Sequence, residues 1–339
     1  MPRRARPRAG TAGLLFLALA SGCASTPQTR ALLDQPPSAL PAQRELSSVT
    51  FHPQERYQCG PAALATVLDH AGMPTAPDAL VDEVYLPKRH GTLPTEMRAA
   101  TRARGLLPYP LAPEMNALVR EVATGRPVLV MQNLGLDWFP QWHFAVVVGY
   151  DLDRAEVVLR SGTTRRLVTS MRVFERTWAR SGHWAQVVVQ PADIPATAEP
   201  LRWLETVREL EPRHPEAAAG GYRAATERWP DSHEAWMTRA NAAYARDDMQ
   251  AARDGFTRAV EIAPEKAPGW NNLAYPLAAL GCDTAARAAA SCAVALAPDD
   301  PGPRDTLREI RSMTSPDESQ RCGIPQCPVA VEGTTNEHE

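Results

Sequence analysis

The sequence has little of what a nucleic-acid-binding protein or a cofactor-dependent enzyme needs. Its 339 residues carry a formal net charge of −3, and the only lysines are Lys88 and Lys266. Domains that bind nucleic acids usually concentrate positive charge on one face. A phosphate-binding glycine loop, a nucleotide fingerprint and the spacings typical of metal ligands are also missing. We therefore expect no nucleic-acid partner, no metal and no other cofactor.

The chain also lacks a hydrophobic run long enough to span a bilayer as a helix. Four arginines precede an apolar run from Thr11 to Ala20, a pattern typical of an export signal. The following Ala20-Ser21-Gly22-Cys23 resembles the cleavage site of bacterial lipoproteins. That resemblance implies removal of residues 1–22 and a lipid on Cys23, with a plain cleaved signal as the alternative. Because no aspartate follows Cys23, it also implies the periplasmic face of the outer membrane.

Cysteine is sparse, and an exported protein can oxidise the residues that remain. Of the six cysteines, Cys23 and Cys59 have separate assignments. The other four allow three disulfide pairings. We expect the two local pairs, Cys282 with Cys292 and Cys322 with Cys327. Their spacings do not match those of zinc ligands, which disfavours a metal site.

Cys59 is the first candidate for chemistry because it precedes a predicted helix. Pro61 suits a first helical turn, and the Ala, Leu and Val residues after it predict a buried helix. Backbone N–H groups and the positive dipole end of a helix favour a thiolate, as in many catalytic cysteines. The alternative is a buried structural cysteine, since free cysteine is often buried. A partner histidine has to decide between the two.

His143 is the best partner because it opens the apolar strand predicted from Phe144 to Gly149. An imidazole at the start of a strand can face a helix N-terminus and act as general base and acid. The alternative is a histidine with a purely structural role. Just before His143, residues 137–140 and Trp142 are rich in aromatic side chains. These side chains either line a substrate groove or pack in the core of the domain.

The N-terminal half predicts an α+β domain over residues 49–192, preceded by a flexible tether over residues 23–48. The tether is rich in Pro, Gln, Ser and Ala, without hydrophobic periodicity. The domain reads as helices first and strands afterwards. Helices are predicted at 59–68, 77–84, 96–104 and 113–123, and strands at 127–132, 144–149, 155–160 and 184–190.

The C-terminal half contains an internal repeat of 34 residues. Four positions recur at this shift: Trp236 and Trp270, Ala252 and Ala286, Ala259 and Ala293, Pro264 and Pro298. This period, with small residues in the second helix and a closing proline, resembles the tetratricopeptide repeat. We predict an all-α solenoid of three repeats at about 199–232, 233–266 and 267–300. A capping helix would follow at Arg304 to Met313, and an irregular tail at 314–339.

The blocks around the candidate residues resemble a known enzyme family. Residues 59–64 (CGPAAL), 91–92 (GT), 126–130 (RPVLV) and 143–151 (HFAVVVGYD) occur in the order seen in papain-like, bacteriocin-processing (double-glycine leader) peptidases. The resemblance covers about 49–192 and implies Cys59 as nucleophile and His143 as base and acid. It also implies that Gln54 joins the Cys59 backbone N–H in an oxyanion hole.

The third catalytic member is left open by the sequence. The family orients its histidine with an aspartate on the following strand, and the corresponding residues here are Leu159-Arg160-Ser161-Gly162. Ser161, or Asp151 from the preceding turn, would take that role.

The function expected is therefore that of a lipid-anchored cell-envelope cysteine peptidase acting on peptides or proteins, with helical repeats that bind a protein partner. The alternatives are an inactive papain-like domain that binds peptides as a scaffold, and an acyl or amide transferase that uses the same thiol.

Overall fold

A computed structural model describes residues 26–37, 39–54, 58–313 and 322–329. Cys23 and the predicted export signal lie outside these ranges. None of the helices in the described ranges has the length and hydropathy needed to cross a lipid bilayer.

The N-terminal domain is built on a sheet of seven strands, all paired antiparallel. The spatial order is β4-β9-β5-β6-β7-β8, and β1 pairs with β6 beyond the end of β5. β2 and β3 form a separate hairpin. The strands are β1 Gln43–Glu45, β2 Tyr85–Leu86, β3 Gly91–Thr92, β4 Leu107–Pro110, β5 Val128–Asn133, β6 Trp142–Asp151, β7 Glu156–Ser161, β8 Thr164–Ser170 and β9 Ala185–Val189.

Six helices complete this domain, and α2 is its central helix. They are α1 Pro27–Asp34, α2 Cys59–His70, α3 Pro77–Val84, α4 Pro94–Ala103, α5 Met115–Ala123 and α6 Met171–Ala179. Every residue of α2 from Gly60 to Leu68 is buried, because this stretch has no charged side chain to keep in water. α2 packs on β6, whose residues from Phe144 to Tyr150 are buried as well. The N-terminal end of α2 is thereby fixed against the sheet.

The predicted tether over residues 23–48 is wrong for its described part. Residues 27–34 form α1, with Thr29 and Leu32 buried, and residues 43–45 form β1. The carboxylate of Glu175 accepts hydrogen bonds from the backbone N–H groups of Gln28 (3.1 Å) and Thr29 (2.7 Å). An anion at a helix N-terminus stabilises the helix. This partner lies about 146 residues away, so local composition cannot indicate it.

The strands and helices predicted for residues 59–160 occur, with small shifts at their ends. β4, β8 and α6 were not predicted from the sequence. β8 is an edge strand that is largely exposed, so it lacks the buried hydrophobic pattern by which strands are recognised.

The C-terminal half consists of paired helices, which confirms the predicted fold class. The helices are α7 Pro200–Arg208, α8 Pro215–Arg228, α9 His233–Ala245, α10 Met249–Ile262, α11 Ala267–Ala279, α12 Asp283–Leu296 and α13 Pro301–Met313. The recurring tryptophan has a recurring partner: the indole N–H of Trp236 donates to the carbonyl of Pro230 at 2.8 Å, and that of Trp270 donates to Pro264 at 2.7 Å. Each tryptophan thus ties its helix to the proline that closes the preceding unit.

The local disulfide pairs expected from the sequence are wrong. Cys282 pairs with Cys322, and Cys292 pairs with Cys327, with Cα–Cα distances of 5.6 and 5.8 Å. Cys282 caps α12 and Cys292 lies within it, so about ten helical residues, roughly 15 Å, separate the two. A disulfide needs its Cα atoms within about 7 Å. Residues 322–329, which form neither helix nor strand, are instead bonded back onto α12 by both disulfides.

Candidate active site

Cys59 is the first residue of α2, and its thiol lies beside the start of β6. It is half-buried and forms no disulfide. Backbone N–H groups of Phe144, Gly60 and Cys59 itself are placed to donate to the sulfur. Phe144 follows His143 in the chain, so this contact brings the cysteine next to the histidine-bearing segment.

Burial raises the pKa of the Cys59 thiol, although the N–H groups of Phe144 and Gly60 lower it. This net direction is opposite to the one expected from the helix N-terminus alone. The cause is desolvation, because a thiolate loses more hydration than the three donors replace. The resting side chain is therefore a neutral thiol that requires a base.

His143 is held by a hydrogen bond to Ser161. Its Nε2 atom lies 2.8 Å from the Ser161 Oγ atom. Ser161 ends β7 and is buried, and the pairing of Val146 with Arg160 makes it a diagonal cross-strand neighbour of His143. Since Nε2 is engaged, Nδ1 is the ring nitrogen left to exchange a proton with a thiol.

Burial lowers the pKa of His143. Serine supplies no charge to oppose this shift, whereas a carboxylate would stabilise the imidazolium form. A hydroxyl can both donate and accept, so the bond to Ser161 orients the ring without fixing its tautomer. The His143–Ser161 pair is therefore a neutral base and its orienting group.

Asp151 does not reach His143. It ends the same strand eight residues further on, roughly 25 Å away at the rise of a β-strand. Its carboxylate accepts from the backbone N–H of Arg154 at 2.9 Å. Of the two candidates for the third member, the structure brings only Ser161 to the histidine.

Gln54 lies in the segment before α2, against the turn that follows Ser161. Its backbone N–H donates to the carbonyl of Gly162 at 3.1 Å. The segments that carry Gln54, Ser161 and His143 therefore meet at one end of the sheet. Residues 55–57, between Gln54 and α2, lie outside the described ranges.

Gly60 is required by its contact with Thr92, the second residue of the Gly91-Thr92 motif. A Cβ atom on Gly60 would lie 2.3 Å from the Thr92 Oγ1 atom and 2.5 Å from its Cβ atom. The Oγ1 atom is buried and has no hydrogen-bond partner among the described residues. The β2–β3 hairpin thus packs directly on the first turn of the cysteine-bearing helix.

Arg160 is a positioning residue that was not predicted from the sequence. Its buried guanidinium donates to the carbonyls of Leu46 (3.4 Å), Val49 (3.3 Å) and Arg165 (2.7 Å). These bonds fix the segment that leads to Gln54. The signal was an arginine within a strand that is otherwise hydrophobic, because a buried charge needs partners.

The segment before His143 is an exposed aromatic loop, defined here as residues 134–142. Its shape is fixed by the side chain of Asn133, whose Oδ1 atom accepts from the backbone N–H groups of Gly135 (3.0 Å) and Gln141 (2.8 Å). Trp138 is 81% exposed and Phe139 is 63% exposed. Packing of the domain, one of the two interpretations of these aromatic residues, is therefore wrong.

One family of known proteins matches the domain that carries these residues. Residues 43–186 match the model of the Peptidase_C39 like family. The N-terminal half of the chain is therefore similar to C39-like domains, and the paired helices follow it. This match overlaps the domain that was expected at 49–192. No curated protein matches the chain.

Solved structures resemble each half separately. A protein described as a C39-like peptidase from Bacillus anthracis is 19% identical, covering 43% of this chain and 97% of its own, with a TM-score of 0.37. The peptidase domain of Streptococcus ComA, a bifunctional ABC transporter of a quorum-sensing pathway, is 18% identical, covering 42% and 98%, with a TM-score of 0.34. The first TPR domain of Spaghetti (RPAP3), bound to an HSP90 peptide, is 17% identical, covering 33% and 90%, with a TM-score of 0.32.

Proposed function

We propose that the protein is a lipid-anchored cysteine peptidase of the bacterial cell envelope, with Cys59 as nucleophile. The observation that carries this proposal is the convergence of Cys59, His143 and Ser161 at one end of the sheet. The thiol lies against the backbone of Phe144, and the ring of His143 is oriented by Ser161 at 2.8 Å. Cys23 would carry the lipid at the periplasmic face of the outer membrane.

Both reacting groups are neutral at rest, so His143 must act as a general base during the attack. Nδ1 takes the thiol proton as the sulfur bonds to the scissile carbonyl carbon, and the carbonyl oxygen becomes negative. The backbone N–H of Cys59 and the side chain of Gln54 would stabilise that oxyanion. His143 then returns the proton to the leaving amine as the C–N bond breaks. A water deprotonated by His143 hydrolyses the thioester and releases the thiol.

The helical half offers a place for a protein partner. A cavity of about 270 Å³ opens between the repeats. It is lined by Asn241, Tyr244, Phe256, Asn272 and Tyr275. Amides and phenols beside an aromatic ring suit a peptide, because they can bond to its backbone while the ring packs on its side chains. We therefore assign protein binding to this half.

The decisive experiment labels the purified protein with an electrophilic peptide probe, in wild type and in the Cys59→Ala and His143→Ala variants. A peptidase should label at Cys59 much faster than an exposed thiol, and both substitutions should remove the rapid reaction. If wild type is labelled no faster than a free thiol between pH 5 and pH 8, the peptidase proposal fails and the inactive scaffold is supported. Products formed with added amines separate a transferase from a hydrolase.

A further inference from the structure

We propose that the aromatic loop inserts into the interface of the membrane that holds the lipid anchor, so that the active site works at the bilayer surface. The inference rests on the proposed lipidation of Cys23. The loop exposes five large apolar side chains in nine residues: Leu134, Leu136, Trp138, Phe139 and Trp142, each at least 50% exposed. Contiguous exposed apolar side chains mark protein or membrane contacts.

The loop has the chemistry of the bilayer interface. Tryptophan is enriched at the level of lipid headgroups, where its apolar ring and its N–H group are both accommodated. The single charged side chain within the loop is Asp137. Apolar contact therefore dominates its attraction to a membrane, and electrostatic attraction contributes little.

The loop also keeps its shape without a partner. The backbone N–H of Leu136 donates to the carbonyl of Phe139 at 3.2 Å, and that of Phe139 donates back at 3.0 Å. Gly135 lies so close to this turn that a Cβ atom would be 2.3 Å from the Phe139 carbonyl oxygen. A prearranged loop loses little conformational freedom on insertion, which favours binding.

The first turn of α1 lies near the end of the sheet that carries the aromatic loop. The side chain of Gln28, in the first turn of α1, lies 3.4 Å from the ring of His183. Next to it, the carbonyl of Trp184 accepts from the backbone N–H of Met131 at 3.2 Å. The aromatic loop begins three residues after Met131, roughly 10 Å along the strand.

Chain length then limits how far the membrane can lie from the loop. Gln28 is the fifth residue after Cys23, which allows at most about 18 Å of extended chain between them. A lipid on Cys23 would therefore hold the membrane within reach of the aromatic loop, and insertion of the loop would bring His143, the residue after Trp142, close to the membrane surface.

The test uses the full mature protein, acylated in cells and reconstituted into vesicles of phosphatidylethanolamine and phosphatidylglycerol. Phospholipids brominated in their acyl chains quench tryptophans that reach the membrane. We expect a loss of roughly a quarter of the emission, because the loop carries two of the eight tryptophans. Added salt should not restore the emission, since charge contributes little.

The double variant Trp138→Ser with Phe139→Ser should stay on the vesicles through its lipid and lose most of this quenching. Leu201→Ser is the matched control, because Leu201 is a 61% exposed apolar side chain on α7 and should leave the quenching unchanged. Acylated wild type that is not quenched, or a double variant quenched as strongly as wild type, overturns the inference.

Two further results separate this inference from its alternatives. If the double variant loses hydrolysis of a soluble peptide without vesicles while wild type shows no quenching, the loop is a substrate-binding wall and the membrane role is overturned. The intact mass of the mature protein tests the anchor itself. If the mass shows that Cys23 carries no lipid, both the lipoprotein proposal and the proposed membrane insertion are wrong. If the mass includes the lipid but the tryptophans are not quenched, only the proposed membrane insertion is wrong.

Discussion

The Nε2 atom of His143 and the Oγ atom of Ser161 lie 2.8 Å apart, across two neighbouring antiparallel strands. This bond orients the candidate base without a negative charge. A carboxylate at the same place would both orient the ring and stabilise its protonated form. The consequences of this difference can be measured.

Replacing Ser161 tests whether the missing charge limits the reaction. Ser161→Asp should raise the pKa of His143, because a carboxylate beside the ring favours the imidazolium form and with it the thiolate. We expect labelling of Cys59 at pH 6 to 7 to rise about tenfold, the equivalent of one pKa unit. Ser161→Asn is the control of similar size without charge. Equal rates for the two variants would show that size, and not charge, had changed the site.

Removing the hydroxyl tests the orienting role on its own. Ser161→Ala should slow labelling about fivefold, since a neutral hydrogen bond contributes about 1 kcal/mol. The fold should be retained, because the cavity left behind is small. A variant that labels as fast as wild type and hydrolyses peptides at the same rate would indicate that Ser161 does not position His143.

The pH dependence of labelling should follow from the two neutral groups. Burial raises the pKa of Cys59 and lowers that of His143, so a preformed ion pair is disfavoured. The rate with a small neutral electrophile should keep rising on the alkaline side, beyond the usual thiol pKa of about 8.5. Rates measured from pH 5 to pH 10 check this expectation. A plateau that is reached below pH 7 would contradict it.

Stability should also depend on His143. Because its pKa is lower in the folded state, the unfolded state binds the proton first as the pH falls. The stability is therefore intact above the unfolded pKa of about 6.5 and declines below it. His143→Gln should remove this part of the decline, which denaturant unfolding at pH 5 and pH 8 measures. If wild type and the His143→Gln variant lose the same free energy of unfolding between pH 8 and pH 5, other groups cause the decline.

Local patterns predicted the parts of the fold that depend on neighbouring residues. The apolar run after Cys59 predicted α2, and the period of 34 residues predicted the repeats, because each unit uses the same contacts. The helix α1 was missed because its N-terminus is bound by Glu175, which is distant in sequence. The choice between Ser161 and Asp151 needed the strand register, which a single sequence does not specify.

Gly60 should be intolerant of any side chain, and Gly60→Ala tests this. The new Cβ atom would meet Thr92 at 2.3 to 2.8 Å, closer than packed atoms approach. We expect a loss of about 1 to 3 kcal/mol in the free energy of unfolding, the usual cost of an overpacked site. Thr92→Gly removes all three contacting atoms, so the double variant should regain part of the loss. If the double variant instead loses the sum of the two single losses in free energy of unfolding, the two residues do not compete for space.

The two disulfides should stabilise the helical half without affecting the thiol site. They bridge sequence separations of 40 and 35 residues, from Cys282 to Cys322 and from Cys292 to Cys327. Each closed loop of this length contributes about 2 to 4 kcal/mol, largely by restricting the unfolded chain. We expect the double variant Cys322→Ser with Cys327→Ser to lower the midpoint temperature at which the repeats unfold. The circular dichroism of the helices, recorded during heating, measures this midpoint.

Labelling of Cys59 in that variant should match wild type, since the free cysteine lies in the other half of the chain. Peptide mapping of the unreduced protein provides the direct check on the pairing. The local pair from Cys282 to Cys292 would require the cap and the interior of α12 to approach, at the cost of unwinding that helix. Recovery of that pair from the folded protein would therefore contradict the course of α12 as well as the disulfide assignment.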